Sequence, residues 1–217
     1  MKVVITGSSG GIGKAIALKF INEGHEVVGL DRKESVIDSS RYRHVICDIR
    51  NTEKLPEIQD TDILINCAGT QNEDDIDINL KALIRVTEKY GVRDGIFSIL
   101  HIGSASGHTG SEFPEYAASK GGILAYTKNT ALRVAPFHAT CNSLDPGGVI
   151  TPLNAPVMDD PVLFEKIMDE TPLRRWATVE EIAAWAYFLT AVNRFCTGEC
   201  IVVDGGESIN HHFIWPE

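Results

Sequence analysis

Short apolar runs, mostly β-branched, alternate along this chain with longer stretches whose apolar residues recur every three or four positions. Val3-Val4-Ile5 leads into a glycine-rich turn, after which Ile12, Ile16 and Phe20 recur at helical spacing up to Gly24. That order predicts strand, turn, helix. Further strands are predicted at residues 26–30, 44–48, 62–69, 95–102, 140–144 and 197–206. The run Ile63-Leu64-Ile65 is apolar throughout, as a parallel strand covered on both faces must be. Helical spacing continues from Asn79 through Leu83, Val86 and Tyr90, and again from Tyr116 to about residue 135, where Pro136 closes it. Thr178 and Glu181 form a capping box ahead of an apolar helix at 182–189. Residues 152–175 are proline-rich and mixed in polarity, and read as an irregular segment over one end of the sheet. The alternation predicts an α/β fold: a Rossmann-like, doubly wound, mostly parallel seven-stranded sheet flanked by helices, in one domain spanning residues 1–217. Helices between the second, third and fourth strands must be abbreviated, because the intervals there are short.

Candidate chemistry sits where strands end. In Thr6-Gly7-Ser8-Ser9-Gly10-Gly11-Ile12-Gly13 the backbone can approach a ligand closely, and the following helix N-terminus offers free N–H groups and a partial positive charge. A diphosphate suits that place. Asp31 closes the second strand, where a carboxylate accepts hydrogen bonds from an adenosine ribose diol and repels a 2′-phosphate. Arg32 follows and partly offsets that repulsion, but the turn itself has no basic residue, which favours NAD over NADP. Asp48 ends the third strand, positioned to meet an adenine amino group or to cap the next helix. The acidic tract Glu73, Asp74, Asp75 and Asp77 reads as a solvated loop, and Asn79 as an opening cap. Ser104 follows the fifth strand, at the edge where open α/β sheets bind ligands.

Tyr116 and Lys120 are four apart and share one face of a helix. A Lys charge about 4–5 Å from the Tyr oxygen is worth roughly 3–4 kcal/mol to the phenolate at an effective dielectric near 20. That brings a phenol within reach of acid-base work near neutral pH. Such a pair also arises by chance on helix surfaces, so the rest of the chain has to decide.

Composition narrows the classes. A formal charge of −10 with scattered Lys and Arg argues against a nucleic-acid surface, and no apolar run approaches membrane-spanning length. Met1-Lys2 leads straight into a strand, so no signal peptide is expected. The five cysteines lack zinc-finger spacing and several lie in apolar runs, the pattern of reduced thiols in a cytoplasmic protein. Cys196 with Cys200, and His211 with His212, have no partners that complete a metal site, and none is expected.

Taken together, these motifs resemble the compact branch of the short-chain dehydrogenase/reductase family from Thr6 to Gly206. Thr6-Gly7-x-x-x-Gly11-Ile12-Gly13 matches the family's cofactor turn, and Asn66-Cys67-Ala68-Gly69 is similar to its Asn-Asn-Ala-Gly segment, with Cys67 in place of the second Asn. Pro146-Gly147-x-Val149-x-Thr151 resembles its nicotinamide-carboxamide segment. The resemblance implies a catalytic set of Asn79, Ser104, Tyr116 and Lys120. It implies cofactor contacts from Gly7, Ser9, Gly11, Ile12 and Gly13, from Asp31, Arg32, Asp48 and Ile49, and from Asn66, Ala68 and Gly69. Tyr116, Lys120, Pro146, Gly147, Val149 and Thr151 complete them. Ser104 would hydrogen-bond the substrate oxygen, Tyr116 would exchange a proton with it, Lys120 would hold the nicotinamide ribose, and Asn79 would anchor a water on the proton path. The implied activity is NAD(H)-dependent interconversion of a secondary alcohol and a ketone by a cytoplasmic homodimer or homotetramer that pairs through the helices near Asn79 and Tyr116. Asp145, before the Pro-Gly turn, is less familiar there: it either contacts substrate or starts a turn. Two other readings remain: an NADPH-dependent 3-oxoacyl reductase, although this chain lacks the basic surface an acidic carrier needs, and a non-catalytic dinucleotide-binding sensor or scaffold.

Overall fold

The computed structural model describes residues 1–111 and 113–210, so His211 and His212 lie outside the described residues. Seven strands form one sheet: β1 (Lys2–Thr6), β2 (Glu26–Asp31), β3 (Tyr42–Ile46), β4 (Ile63–Asn66), β5 (Ser98–Ile102), β6 (Thr140–Pro146) and β7 (Cys200–Val203). Their order is β3-β2-β1-β4-β5-β6-β7 and every pairing is parallel. The chain builds outward from β1 to β3, then crosses back to lay β4 on the other side of β1. The crevice of such a sheet opens at that reversal, beyond the C-terminal ends of β1 and β4, where Thr6 stands beside Asn66.

Both faces are covered, which explains why the central strands are apolar at successive positions. Val3, Ile5, Ile63 and Ile65 pack with Ile16 and Phe20 of α1 (Gly11–Asn22) and with Ile182 and Ala186 of α7 (Val179–Tyr187). Val4, Leu64 and Ile99, one residue out of phase, pack with Val86 and Tyr90 of α2 (Leu83–Tyr90) and with Ala131 and Val134 of α4 (Pro114–Val134). As expected, the β2 to β4 flank is short: among the described residues a single 3₁₀ turn, Thr52–Lys54, lies between β3 and β4. Leu55 and Ile58 tuck under the sheet there in place of a helix.

Four local expectations need correction. The third strand begins two residues earlier than its apolar run, because Tyr42 and Arg43 pair with Val27 and Val28 on a half-exposed edge where polar residues serve as well. The acidic tract is not all solvated, since Asp75 is 1% exposed and its carboxylate accepts from Thr70 Oγ1 at 3.0 Å and Asn72 N at 2.8 Å. Asn79 does not open its helix, which starts with a wide π turn over Ile76–Ala82 and holds Asn79 in its middle. Residues 152–175 are not irregular. They form a 3₁₀ turn at Pro152–Asn154, then α5 (Ala155–Met158) and α6 (Pro161–Glu170), the latter started by Asp160, whose side chain accepts from Val162 N and Leu163 N at 3.1 Å each. Pro152, Pro156 and Pro161 lie in the first turns of these helices, where a missing N–H costs nothing.

Candidate active site

The glycine turn leaves room for a phosphate group. A Cβ on Gly13 would lie 2.1 Å from the Gly7 carbonyl oxygen, so that glycine is needed for the turn to close on itself. Gly10 is different: a Cβ there meets nothing within 4 Å, and at Gly11 the nearest group would be Thr151 Cγ2 at 3.6 Å. The open side of the turn therefore faces the Pro146 to Thr151 segment. Gly10 caps α1 without a side-chain bond and the first turn carries no acidic residue, so its N–H groups present their partial charge to that gap. Gly7, Ser9, Gly11 and Ile12 line this opening with partly exposed residues. The residues present fit a dinucleotide diphosphate.

At the adenosine end, Asp31 is half-buried and already oriented. Its Oδ2 accepts from Ser9 N at 3.0 Å and its Oδ1 from Lys33 N at 2.9 Å. Behind it runs a hydrogen-bond chain that sequence reading missed. Ser8 Oγ lies 2.9 Å from Tyr42 Oη, Tyr42 Oη 3.2 Å from His44 Nδ1, and His44 Nε2 2.9 Å from the Lys33 carbonyl, which also accepts from Ser9 Oγ at 3.0 Å. The carbonyl must be given a proton, so His44 carries it on Nε2, its Nδ1 accepts from Tyr42, and Tyr42 accepts from Ser8. Gly29 is what admits this chain, because a Cβ there would sit 2.2 Å from Tyr42 Oη and 2.3 Å from Ser8 Oγ. A glycine in mid-strand was the available signal.

Other expected cofactor contacts are placed less directly. Asp48 turns its carboxylate to Arg50, with Nη2 at 2.7 Å and Nε at 3.1 Å, and the guanidinium holds its pKa below the usual carboxylate value. It caps no helix, since the 3₁₀ turn that follows opens from Asn51. Arg32 is exposed, and Ile49 packs into the core at 7% exposure, leaving its backbone for a ligand. Asn66 is 2% exposed and donates to Thr87 Oγ1 at 2.9 Å and to His101 Nδ1 at 3.1 Å, tying β4 to α2 and β5 beneath the crevice. Ala68 is fixed by its N–H donating to Thr6 Oγ1 at 3.1 Å, and Gly69, beyond it, is exposed.

The reaction end assembles on β5, α4 and the turn before α2. Lys120 is 7% exposed and donates from Nζ to the Ile102 carbonyl at 3.0 Å; the same Nζ lies 5.5 Å from the centroid of the Tyr116 ring, one helical turn earlier. Ser104 is two residues beyond Ile102 and 8% exposed. Its Oγ accepts from Ser106 N at 3.1 Å, and Ala105 N donates to the Pro146 carbonyl at 2.9 Å, locking the loop to β6. Asn79 lies behind Gly69, whose Cβ position is 3.0 Å from Asn79 Oδ1 and 3.8 Å from Lys120 Nζ. The Asn79 amide itself is engaged, accepting from Thr70 N at 2.8 Å and donating to the Thr70 carbonyl at 2.9 Å. The π turn leaves its backbone differently spaced from an ordinary helix, a distortion that recurs at functional sites. On the far wall, Val149 is buried and bridges to Ala177, Thr151 faces Gly11, and Gly147 abuts Asp204, where a Cβ would come within 2.6 Å of the Asp204 Cβ.

Residues 7–208 match the family model described as enoyl-(acyl carrier protein) reductase. The 3-oxoacyl-[acyl-carrier-protein] reductase of Buchnera aphidicola is 29% identical over 235 aligned residues, covering 93% of this chain and 95% of that protein. The ligand-free aldohexose dehydrogenase of Thermoplasma acidophilum superposes with a TM-score of 0.85 at 29% identity, over 100% of this chain and 97% of the other. A 4-hydroxyisoleucine dehydrogenase complexed with NADH gives 0.85 at 26% identity, covering 97% and 99% of the two chains, and a further neighbour of 26% identity holds NADP. With a sheet that reverses at a glycine turn, a buried lysine beneath a tyrosine, and a family match across nearly its whole length, the chain belongs to the short-chain dehydrogenase/reductase family, oxidoreductases that act on CH–OH groups with a nicotinamide dinucleotide.

Proposed function

We propose that this protein interconverts a secondary alcohol and a ketone using NAD(H), with Tyr116 as the proton-transferring group. The observation that carries this reading is Lys120, a buried cation held by the Ile102 carbonyl within 5.5 Å of the Tyr116 ring, on the helix flanking Ser104. A positive charge there favours the phenolate, so Tyr116 takes a proton from the alcohol or returns one to the ketone. Ser104 Oγ holds the substrate oxygen against it. Asn79 and the π turn sit behind Lys120, on the path by which the proton leaves. The bound nicotinamide supplies the hydride acceptor or donor. NAD is favoured over NADP because the Asp31 carboxylate, fixed by two backbone N–H groups, faces the place where a 2′-phosphate would lie.

The test is reduced-nicotinamide formation with NAD+ or NADP+ across secondary alcohols, sugars and 3-hydroxyacyl thioesters. Activity with NAD+ should fall by about 10²–10⁴-fold in Tyr116→Phe, with the fold and NADH binding intact. A Tyr116→Phe protein as fast as wild type would remove Tyr116 from the mechanism, and a clear preference for NADP+ would overturn the cofactor assignment. A wild type that binds NADH but turns over no alcohol would instead point to a sensor.

Homo-oligomer formation is supported by exposed apolar groups: Leu132 on α4, Trp185 on α7, and Phe188, Val192 and Phe195 beyond it. Light scattering should then give a mass of two or four chains. Residence in the cytoplasm is supported by five free cysteines, none paired, and is tested by cell fractionation.

A further inference from the structure

We propose that His108, held from behind by Asp145, is a second polar contact for the substrate, binding a hydroxyl on a carbon next to the one that reacts. The substrate is then a sugar or polyol and not a simple alkyl alcohol or an acyl thioester. This deepens the alcohol–ketone reading above and rests on it.

Asp145 is the penultimate residue of β6, its side chain 0% exposed, and its Oδ2 lies 2.6 Å from His108 Nε2. Its Oδ1 accepts from Ser143 Oγ. Gly103, the neighbour of Ser104, exists to make room: a Cβ there would lie 1.9 Å from Asp145 Oδ1. The carboxylate therefore lies against the backbone that presents Ser104, and His108 lies against the carboxylate. The chain enforces the same proximity locally, since α3 (Ser106–Thr109) turns directly after Ser104, with Gly107 N donating to the Ser104 carbonyl at 3.0 Å and His108 N to the Ala105 carbonyl at 2.9 Å. The His108 side chain is 30% exposed and follows the C-terminal end of β5, on the same edge of the sheet as the ends of β1 and β4. Among the described residues its Nδ1 has no hydrogen-bond partner.

A fully buried carboxylate is costly to maintain, and burial raises the Asp145 pKa against the pull of Ser143, His108 and Lys120. What the arrangement secures is a fixed imidazole. With the Asp145 carboxylate accepting from Nε2–H, Nδ1 is an acceptor in the neutral ring and a donor in the imidazolium. A hydroxyl answers either state because it both donates and accepts. A hydrocarbon answers neither, and a carboxylate answers only the charged ring. Among the described residues, the titratable groups that face the pair are Lys120 from α4 and Cys200 from β7, whose thiol burial and Asp145 raise to about 11.

The experiment compares D-glucose and galactitol with 2-butanol and a 3-hydroxybutyryl thioester, using wild type, His108→Leu, His108→Gln and Asp145→Asn at saturating NAD+ from pH 5 to 9. We expect wild type to favour the polyhydroxy substrates. His108→Leu should raise their KM roughly tenfold or more while leaving kcat, NADH affinity and 2-butanol kinetics unchanged. His108→Gln should recover part of the loss. Calorimetric binding of galactitol to Tyr116→Phe protein with NAD+ should weaken by the same factor when His108→Leu is added. Asp145→Asn should change the pH dependence of KM for polyols alone, and if that variant does not fold the His108 pair still decides. Equal losses on both substrate classes would mean that the pair only pins α3 to β6, and no loss would mean that it does not reach substrate. Either result overturns this inference and leaves the alcohol–ketone reading standing. A wild type that is silent on every alcohol overturns both.

Discussion

Tyr42 shows how much a single hydroxyl can carry here. It receives a proton from Ser8 and gives one to His44, and through His44 it fixes the Lys33 carbonyl beside Asp31. Removing it leaves Ser8 Oγ and His44 Nδ1 without their partner. Tyr42→Phe should weaken NADH binding about fivefold to tenfold, the equivalent of one lost hydrogen bond of about 1 kcal/mol, with kcat unchanged. Fluorescence titration checks this, and an unchanged affinity would reduce the chain to an edge-strand ornament. The proposed reaction residues were legible as residue types at a spacing: Ser104 at a strand end, Tyr116 and Lys120 one helical turn apart. That Asp145 meets His108 was not legible, because 37 residues separate them and only the pairing of β5 with β6 brings them together.

Helix boundaries were set by side chains that a periodicity count overlooks. Asp160 starts α6 by accepting from two backbone N–H groups, and Thr178 with Glu181 starts α7 as a reciprocal capping box. Asp160→Ala should cost about 1 kcal/mol in urea unfolding, since the first turn of α6 loses its acceptor. The same change should raise proteolytic cleavage within residues 152–175 more than elsewhere, since it frees the start of α6. The capping box at α7 was readable as Thr-x-x-Glu, whereas Asp160 was hidden in a proline-rich stretch that masks helical spacing. The buried Asp75 was hidden in an acidic run for a similar reason. Nothing in a list of carboxylates says which of them folds back to accept from its own loop.

Acid sensitivity belongs to the whole molecule, because the group responsible sits between its layers. His101 is 0% exposed, its Nδ1 accepts from Asn66 Nδ2 at 3.1 Å, and burial lowers its pKa to about 3. The unfolded chain binds a proton at an ordinary histidine pKa near 6.5 and the folded chain resists it, so stability is complete above that value. It falls as pH drops from about 6.5 toward 3, by up to about 1.4 kcal/mol per pH unit from this group alone. Denaturant midpoints measured from pH 7.5 to 4.5 should show that slope, and His101→Gln should flatten it; an equal slope in the variant would assign the acid sensitivity elsewhere.

The layered parallel sheet, its glycine turn and the order of the candidate site residues are written in local spacing: apolar period, helix face, strand end. Which polar groups meet depends on the three-dimensional fold. The crossover from β3 to β4 opened the crevice, the register of β5 against β6 set Asp145 beside Gly103, and the edge pairing of β3 carried Tyr42 to Ser8. Contacts of that kind depend on strand order and register, which are settled by burying two apolar faces at once and leave no periodic trace in the chain.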